Sequence, residues 1–165
     1  MIPTVSFIGH QGSGKTTLLT RLIPFLLDRG YRVGTVKHAP HEENIDRSGT
    51  DSFRHREAGA EQTLVVSRSG RALFWEPFPK ETIEETIERL FQGFDVVLVE
   101  GFKHGPFPKV EVFRRLTELR TEPLAGEIDV VAVVTDEHVA LPDGVRILSP
   151  RRPEEVADFL EGNLL

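Results

Sequence analysis

Short apolar runs, separated by amphipathic and polar stretches, recur along the whole chain. A strand buried on both faces of a sheet reads as a continuous apolar run, so these runs predict strands of a parallel sheet. Looser alternation of apolar and polar residues predicts further strands. The strands predicted in this way are residues 5–8, 32–37, 95–100, 109–113, 128–135 and 145–148.

Apolar positions at helical spacing predict helices between these strands. The predicted helices cover residues 15–28, about 51–57, 80–92, and a last helix that opens at Pro153. Pro24 lies inside the first helix, where it removes one helical hydrogen bond, so we expect a kink or local strain there. Gly30 is expected to end that helix as a left-handed cap. Residues 114–127 predict a loop with a helical turn.

Residues 62–67 and 71–76 alternate as strands around the turn signal Ser69-Gly70, which predicts an antiparallel β-hairpin. Helices that alternate with parallel strands imply right-handed crossovers and a three-layer α/β architecture. We therefore expect one domain over residues 1–165, with a mostly parallel sheet and the hairpin as an added piece. The apolar side chains of the hairpin favour a dimer surface and core packing equally. These side chains belong to Leu64, Val66, Leu73, Phe74 and Trp75.

The segment between the first strand and the first helix has the spacing Gly-x4-Gly-Lys-Thr. Glycines adopt backbone angles that a β-carbon forbids, so this loop can turn successive N–H groups inward as an anion-binding nest. The positive end of the following helix adds to the same field. In this strand–loop–helix context the pattern predicts a phosphate-binding loop, and with it a P-loop NTPase fold. The residues predicted to bind a nucleotide here are Gly9, Gln11, Gly12, Ser13, Gly14, Lys15, Thr16 and Thr17.

A phosphate-binding loop needs Mg²⁺ ligands nearby, and residues in three parts of the sequence are candidates. The Thr16 hydroxyl can ligate the ion. Glu100 ends an apolar strand at the sheet edge where ligands bind, so its carboxylate can hold the ion or its waters. Asp46, or alternatively Asp51, lies in a polar segment that would sense the outer phosphate and Mg²⁺. A solvated loop is the competing interpretation of that segment.

Two further features carry weaker signals. Asp136 follows the strand that ends at Thr135, and its carboxylate can accept hydrogen bonds from the N1–H and 2-amino group of guanine. The fuller Asn-Lys-x-Asp pattern of many GTP-binding proteins is missing from the sequence, so a strand-end cap is an equally good interpretation. His38 and His41 can ligate a metal, but their spacing alone is a weak signal, and ordinary polar loop contacts are favoured.

Composition then narrows the classes of function. The formal net charge of −6 argues against wholesale binding to nucleic acid or to an anionic membrane surface. The absence of cysteine excludes disulfides, thiolate metal sites and cysteine nucleophiles. No apolar run approaches the ~20 residues that a membrane helix needs. These features favour a cytoplasmic protein with neither nucleic acid nor membrane as partner.

Several sequence blocks together resemble a known family. The blocks are residues 9–17, 36–38 (Val-Lys-His), 46–60 (Asp-x4-Asp-Ser-Phe-Arg-x3-Ala-Gly-Ala), 99–104 (Val-Glu-Gly-Phe-Lys-His) and 108–112 (Pro-Lys-Val-Glu-Val). In these blocks, and over about residues 3–160, the chain is similar to the molybdopterin-guanine dinucleotide biosynthesis adaptor family, MobB. The resemblance implies a P-loop fold that binds GTP with Mg²⁺, weak GTPase activity at most, and a homodimer. It also implies a partner, the guanylyltransferase MobA, which attaches GMP to molybdopterin.

The same resemblance assigns roles to individual residues. It implies that one group of residues binds phosphate and Mg²⁺. It also implies that Glu100 is the acidic residue at the strand end. The Thr135-Asp136 pair matches a base-reading loop only in part, which leaves guanine specificity open. The phosphate and Mg²⁺ group consists of Gly12, Gly14, Lys15, Thr16 and Thr17.

Three functions remain open on these observations. The first is a GTP-binding adaptor in molybdenum cofactor biosynthesis, with slow hydrolysis because no water-positioning glutamine or arginine finger stands out. The second is a small-molecule kinase on the same fold, with an arginine-bearing lid. The third is a partner-binding module whose nucleotide site is vestigial. The arginines available for a lid are Arg54, Arg56, Arg68 and Arg71.

Overall fold

The computed structural model describes residues 1–40, 45–76, 78–115 and 122–165. The chain divides into two compact units, one of residues 1–38 with 87–165 and one of residues 39–86. The single domain expected over residues 1–165 therefore stays a prediction, and each unit is described by itself. Within the described ranges, no helix is both long and apolar enough to cross a membrane.

The observed elements follow the predicted order. The strands are β1 Thr4–Ile8, β2 Val33–Lys37, β3 Gln62–Val66, β4 Arg71–Trp75, β5 Val96–Glu100, β6 Lys109–Val112, β7 Ala132–Val134 and β8 Arg146–Leu148. The helices are α1 Lys15–Asp28, α2 Asp51–Glu57, α3 Ile83–Leu90 and α4 Pro153–Asn163, with a short 3₁₀ helix at Leu124–Gly126.

The first unit contains a six-stranded sheet in the order β2-β5-β1-β6-β7-β8. Every neighbouring pair in it is parallel. Glu100 at the end of β5 is in register with Phe7 of β1 and Lys37 of β2. The carboxyl ends of these strands therefore meet at one edge of the sheet. This arrangement confirms the predicted α/β fold with a mostly parallel sheet.

One face of this sheet is covered by α1 and α4. Leu22 and Leu26 of α1 and Leu160 of α4 are buried against Phe7 and Leu98 of the sheet. Each fully buried side chain of this size contributes roughly 1.5–3 kcal/mol relative to exposure. Burial of the apolar stripes of both helices thus holds α1, the helix after the predicted phosphate-binding loop, on the sheet.

Polar contacts also join the two helices. Arg29, at the carboxyl end of α1, contacts Asp158 at 2.6 Å and Glu161 at 2.6 Å, both on α4. Gly30 has the left-handed φ of 89° that the sequence predicts for the cap. The N–H groups of Gly30 and Tyr31 donate to the carbonyls of Leu27 and Leu26, which satisfies the last turn of the helix. The helix runs through Pro24 without interruption.

The second unit contains α2 and the predicted hairpin. Strands β3 and β4 pair antiparallel, with Gln62 opposite Trp75, which confirms the hairpin. The N–H of Ser67 closes the turn on the carbonyl of Gly70 at 2.9 Å. Thr50 caps α2, since its hydroxyl oxygen accepts the N–H of Phe53 at 3.3 Å. Leu64 and Val66 lie on one face of the hairpin, 56% and 61% exposed.

The predicted starts of two elements were wrong by three residues or more. Helix α3 begins at Ile83 rather than residue 80, because Thr82 and Glu85 form a capping box. The Thr82 N–H donates to the Glu85 carboxylate, and the Glu85 N–H donates to the Thr82 hydroxyl. The strand predicted from residue 128 begins at Ala132, because the Ile128 N–H donates to the carbonyl of Leu124 and closes the 3₁₀ helix. That 3₁₀ helix confirms the helical turn predicted within residues 114–127, of which 116–121 lie outside the described residues.

Candidate functional site

The predicted phosphate-binding loop spans residues 9–14, between the end of β1 and the start of α1. Gly9, Gly12 and Gly14 all have positive φ, at 139°, 81° and 100°. Residues with a side chain rarely adopt such angles, which explains the three glycines. The N–H of Ser13 donates to the carbonyl of His10 at 3.2 Å and tightens the loop. The backbone has the strand–turn–helix form that the motif predicts.

Lys15 places its ammonium group over this loop. Its Nζ donates to the carbonyl oxygens of Gly9 at 2.9 Å and His10 at 2.8 Å. An ammonium group has three donors, so an anion can take a further bond. Burial lowers the pKa of Lys15, and the nearby Glu100 carboxylate partly opposes that shift. The lowered pKa reflects a cation in a poorly solvated environment, where a bound anion would stabilise the charged form of Lys15.

Ser13 and Gly9 show how closely the loop is built. Ser13 is 6% exposed, and its Oγ finds no hydrogen-bond partner among the described residues. A buried hydroxyl without a partner costs free energy, and a phosphate oxygen would supply the partner. At Gly9 an added Cβ would lie 2.4 Å from the carbonyl oxygen of Val112. The unpartnered Ser13 hydroxyl therefore suits a phosphate ligand. Gln11 and Thr17 are exposed at the edge of the loop.

Two of the predicted metal ligands meet beside the loop. The Thr16 hydroxyl donates to Oε1 of Glu100 at 2.7 Å. Glu100 is held in place by the sheet, because the following N–H, of Gly101, donates to the carbonyl of Phe7 at 2.9 Å. Mg²⁺ prefers oxygen ligands and keeps several waters, so one hydroxyl and one carboxylate suit it when phosphate oxygens complete the shell. In the described residues there is no cluster of three or more histidine, aspartate or glutamate side chains for a metal.

Asp46, the third predicted metal ligand, lies in the second unit and is 6% exposed. Its Oδ1 accepts the hydroxyls of Thr50 at 3.4 Å and Ser52 at 3.2 Å. Arg56 lies 3.8 Å from Oδ2. These contacts stabilise the start of α2, and a role of Asp46 at the metal stays a prediction.

Other candidates of the polar segments have local contacts. Arg56, one of the arginines considered for a kinase lid, stacks over the Phe74 ring at 5.6 Å and contacts Glu76 at 3.6 Å. The His38 ring packs against Phe102, with 4.5 Å between centroids. His41 lies outside the described residues.

Asp136 lies beyond the carboxyl end of β7. Its Oδ2 accepts Nε of Arg151 at 2.8 Å, and its side chain is 42% exposed. The turn itself is closed by Thr135, whose hydroxyl accepts the N–H of Glu137 at 3.0 Å. An open cavity of about 600 Å³ is lined by residues 135–140 and Ile147. A cavity of that size accommodates a nucleobase, and base reading by Asp136 stays a prediction.

Two residues near the site were missed from the sequence. Arg21 on α1 donates to the carbonyls of Pro150 and Arg151, each at 3.0 Å. Glu111, in register with Ile8 just before the loop, is fully buried. Its carboxylate accepts the N–H groups that open the 3₁₀ helix, those of Leu124 at 2.8 Å and Ala125 at 3.0 Å. Burial raises the pKa of Glu111, and these two bonds partly oppose the shift.

Glu111 left a signal in the sequence, an acidic residue at a strand position flanked by valines. Arg21 left none, because its partners lie far along the chain.

Comparisons with known proteins identify the family of this chain. The family model described as Molybdopterin guanine dinucleotide synthesis protein B matches residues 4–136. A relative from Escherichia coli (strain K12), named molybdopterin-guanine dinucleotide biosynthesis adapter protein, is 40% identical over 163 residues and covers 97% of this chain and 92% of its own. A relative of the same name from Haemophilus influenzae is 38% identical over 165 residues, 97% of this chain and 88% of its own.

Solved structures show the same likeness. The crystal structure of Bacillus subtilis MobB matches with a TM-score of 0.75 and 28% identity, and covers 99% of both chains. The matched family model covers the phosphate-binding loop, Glu100 and Asp136 together. The chain therefore belongs to the MobB family, Molybdopterin guanine dinucleotide synthesis protein B.

Proposed function

We propose that this protein is a GTP-binding adaptor in molybdenum cofactor biosynthesis that assists the formation of molybdopterin guanine dinucleotide. The observation that carries the nucleotide part is the Thr16–Glu100 hydrogen bond of 2.7 Å beside the Lys15 ammonium group. It brings together two proposed oxygen ligands of Mg²⁺ that lie 84 residues apart in the sequence. Family membership supports the pathway.

The residues divide the work between phosphate and metal. The loop N–H groups and the start of α1 face the negative phosphates, and Lys15 adds a charge-assisted hydrogen bond. Bound Mg²⁺ would neutralise phosphate charge, and Thr16 and Glu100 are its proposed ligands, while the role of Asp46 at the metal stays a prediction from the sequence. Asp136 is the proposed guanine contact. We expect slow hydrolysis. The bound nucleotide then mainly fixes the conformation of this protein that a partner binds.

Calorimetry with GTP, ATP and Mg²⁺ tests the nucleotide site. Lys15→Ala should lower GTP affinity by about ten- to a hundredfold, since a hydrogen bond from a charged group contributes roughly 1.5–3 kcal/mol. Arg29→Ala, which removes a cation from the same helix away from the loop, is the matched control and should bind GTP as the wild type does. Unchanged affinity in Lys15→Ala would sink the assignment. Phosphorylation of a small-molecule acceptor would favour the kinase instead.

The proposed partners are a second copy of the chain and the guanylyltransferase MobA, in the cytoplasm. Leu64 and Val66 expose an apolar face of the hairpin, and exposed strands of this kind are normally covered by another chain. Light scattering on Leu64→Glu should show a monomer. Ile147→Glu, equally exposed at 56%, should leave the dimer intact. Binding of purified guanylyltransferase with and without GTP then tests the adaptor role.

A further inference from the structure

Arg21 connects the phosphate-binding helix to a distant segment. We name residues 149–152, between β8 and α4, the 149–152 segment. Arg21 donates from Nη1 to the carbonyl of Pro150 and from Nη2 to the carbonyl of Arg151, each at 3.0 Å. Two N–H groups of one planar guanidinium on adjacent carbonyls fix both distance and orientation, which a lysine cannot do.

The 149–152 segment in turn contacts Asp136. Arg151 donates from Nε to the Asp136 carboxylate at 2.8 Å. The backbone of the segment is held by Ser149, whose hydroxyl accepts the N–H of Arg151 at 3.2 Å. Arg151 is 81% exposed and Asp136 is 42% exposed in their side chains. Such an exposed ion pair holds its geometry weakly by itself, so an anchored backbone at Arg151 helps to keep its guanidinium beside the Asp136 carboxylate.

We propose that Arg21 is a positioning residue for guanine recognition. It connects the 149–152 segment, which orients Asp136, to α1, whose first turn would contact the phosphates. The inference rests on the proposed function, because it takes GTP as the ligand and Asp136 as the base contact. A nucleotide presents its base and its phosphates at a separation set by its own covalent structure. Discrimination between bases therefore requires that the two contact regions be held in fixed register.

Arg21 has a natural control in Arg29. Arg21 lies in α1 and Arg29 caps the carboxyl end of that helix. Both bond to the last part of the chain, but Arg29 contacts Asp158 and Glu161 within α4 itself. Loss of either side chain removes a tether between α1 and the last part of the chain. Only loss of Arg21 releases the 149–152 segment. A purely structural role for Arg21 predicts that the two variants behave alike.

The experiment measures GTP, ATP and tripolyphosphate affinities by calorimetry in the presence of Mg²⁺. The proteins are wild type, Arg21→Gln, Arg29→Gln and Asp136→Ala. Arg21→Gln should lose GTP affinity about tenfold, and its affinity for ATP and tripolyphosphate should change less than about twofold. Arg29→Gln should keep the wild-type ratio of GTP to ATP affinity. A fifth protein, Arg21→Lys, keeps the charge but has one donor nitrogen, so its GTP affinity should lie between those of wild type and Arg21→Gln. It replaces Arg21→Gln in the comparison if that variant does not fold.

Hydrogen exchange supplies a readout without ligand. Backbone amides of the 149–152 segment should exchange faster in Arg21→Gln than in wild type or Arg29→Gln. The proposal is overturned alone if Asp136→Ala loses discrimination while Arg21→Gln and Arg21→Lys keep it. If wild type binds GTP and ATP equally, the proposal and the guanine contact fail together. If tripolyphosphate and both nucleotides fail to bind, the proposed function itself is wrong.

Discussion

Replacement of Gly9 by alanine adds one methyl group where β1 turns into the phosphate-binding loop. The new Cβ would lie 2.4 Å from the Val112 carbonyl oxygen and 2.9 Å from Oγ of Ser13. The carbonyl belongs to the backbone of β6, which pairs with β1 and cannot rotate away as a side chain would. In addition, φ at Gly9 is 139°, a region that costs about 1–3 kcal/mol for a residue with a Cβ.

The free energy of unfolding should fall in steps across three glycines. Gly9→Ala carries the backbone strain plus about 1–3 kcal/mol of overpacking, so we expect a loss of about 2–6 kcal/mol. Gly14 has φ of 100° and nothing within 4 Å of a built Cβ, so its alanine variant carries the strain alone. Gly126 has neither a positive φ nor a neighbour within 4 Å. Gly126→Ala should therefore stay within about 0.5 kcal/mol of wild type.

Urea unfolding followed by far-UV circular dichroism measures these differences. The expected order of stability is Gly126→Ala, then Gly14→Ala, then Gly9→Ala. A Gly9→Ala variant as stable as Gly14→Ala would refute the steric argument, because the contact with Val112 would then cost nothing. A loss in Gly126→Ala as large as that in Gly14→Ala would show instead that φ is not the cause.

Three further predictions concern charge. Glu100→Gln keeps an oxygen for the Thr16 hydroxyl but removes the negative charge. The gain in GTP affinity on adding Mg²⁺, measured by calorimetry with and without EDTA, should therefore shrink about tenfold or more. An unchanged gain would contradict a metal role for Glu100. Burial lowers the pKa of Lys15 below 10.5, so the unfolded chain binds more protons between the folded pKa and 10.5, and stability should rise with pH across that window in wild type. In Lys15→Met this contribution should disappear from urea unfolding measured over the same range. Burial raises the pKa of Glu111 above 4.5, so its contribution is present below 4.5 and lost as pH rises through the folded pKa. The stability of wild type relative to Glu111→Gln should fall accordingly, and a rise would show that its two backbone hydrogen bonds outweigh burial.

The phosphate-binding loop and Glu100 were predictable because their signals are local. The glycine spacing implies its own backbone, and an acidic residue at the end of an apolar run emerges at the carboxyl edge of a parallel sheet. The hydrogen bond between Thr16, in the first turn of α1, and Glu100, at the end of β5, follows once β5 pairs with β1, the strand that leads into the loop and α1. The hairpin was predictable for the same reason, since its turn and its alternation lie within a few residues.

Contacts between distant parts of the chain were not predictable. Arg21 meets carbonyls that lie 129 and 130 residues away, and nothing in a single helix marks it for that role. The alternating pattern around Glu111 predicts only a strand position, whereas tertiary packing buries the residue under the 3₁₀ helix whose N–H groups it accepts. The start of α3 shows the opposite case, since the Thr82–Glu85 capping box is a local signal that was overlooked.

Because Asp158 and Glu161 of α4 hold Arg29, α4 is a suitable place for a fluorescent label. Both carboxylates lie on α4 and both bonds are 2.6 Å long, so the far end of the phosphate-binding helix is fastened to the last helix of the chain. The sequence contains no cysteine, so a single thiol introduced on the exposed side of α4 would accept a fluorophore at one place only. The label would lie outside the proposed nucleotide site, so a change in its fluorescence when GTP or a partner protein is added would show that binding is transmitted to α4.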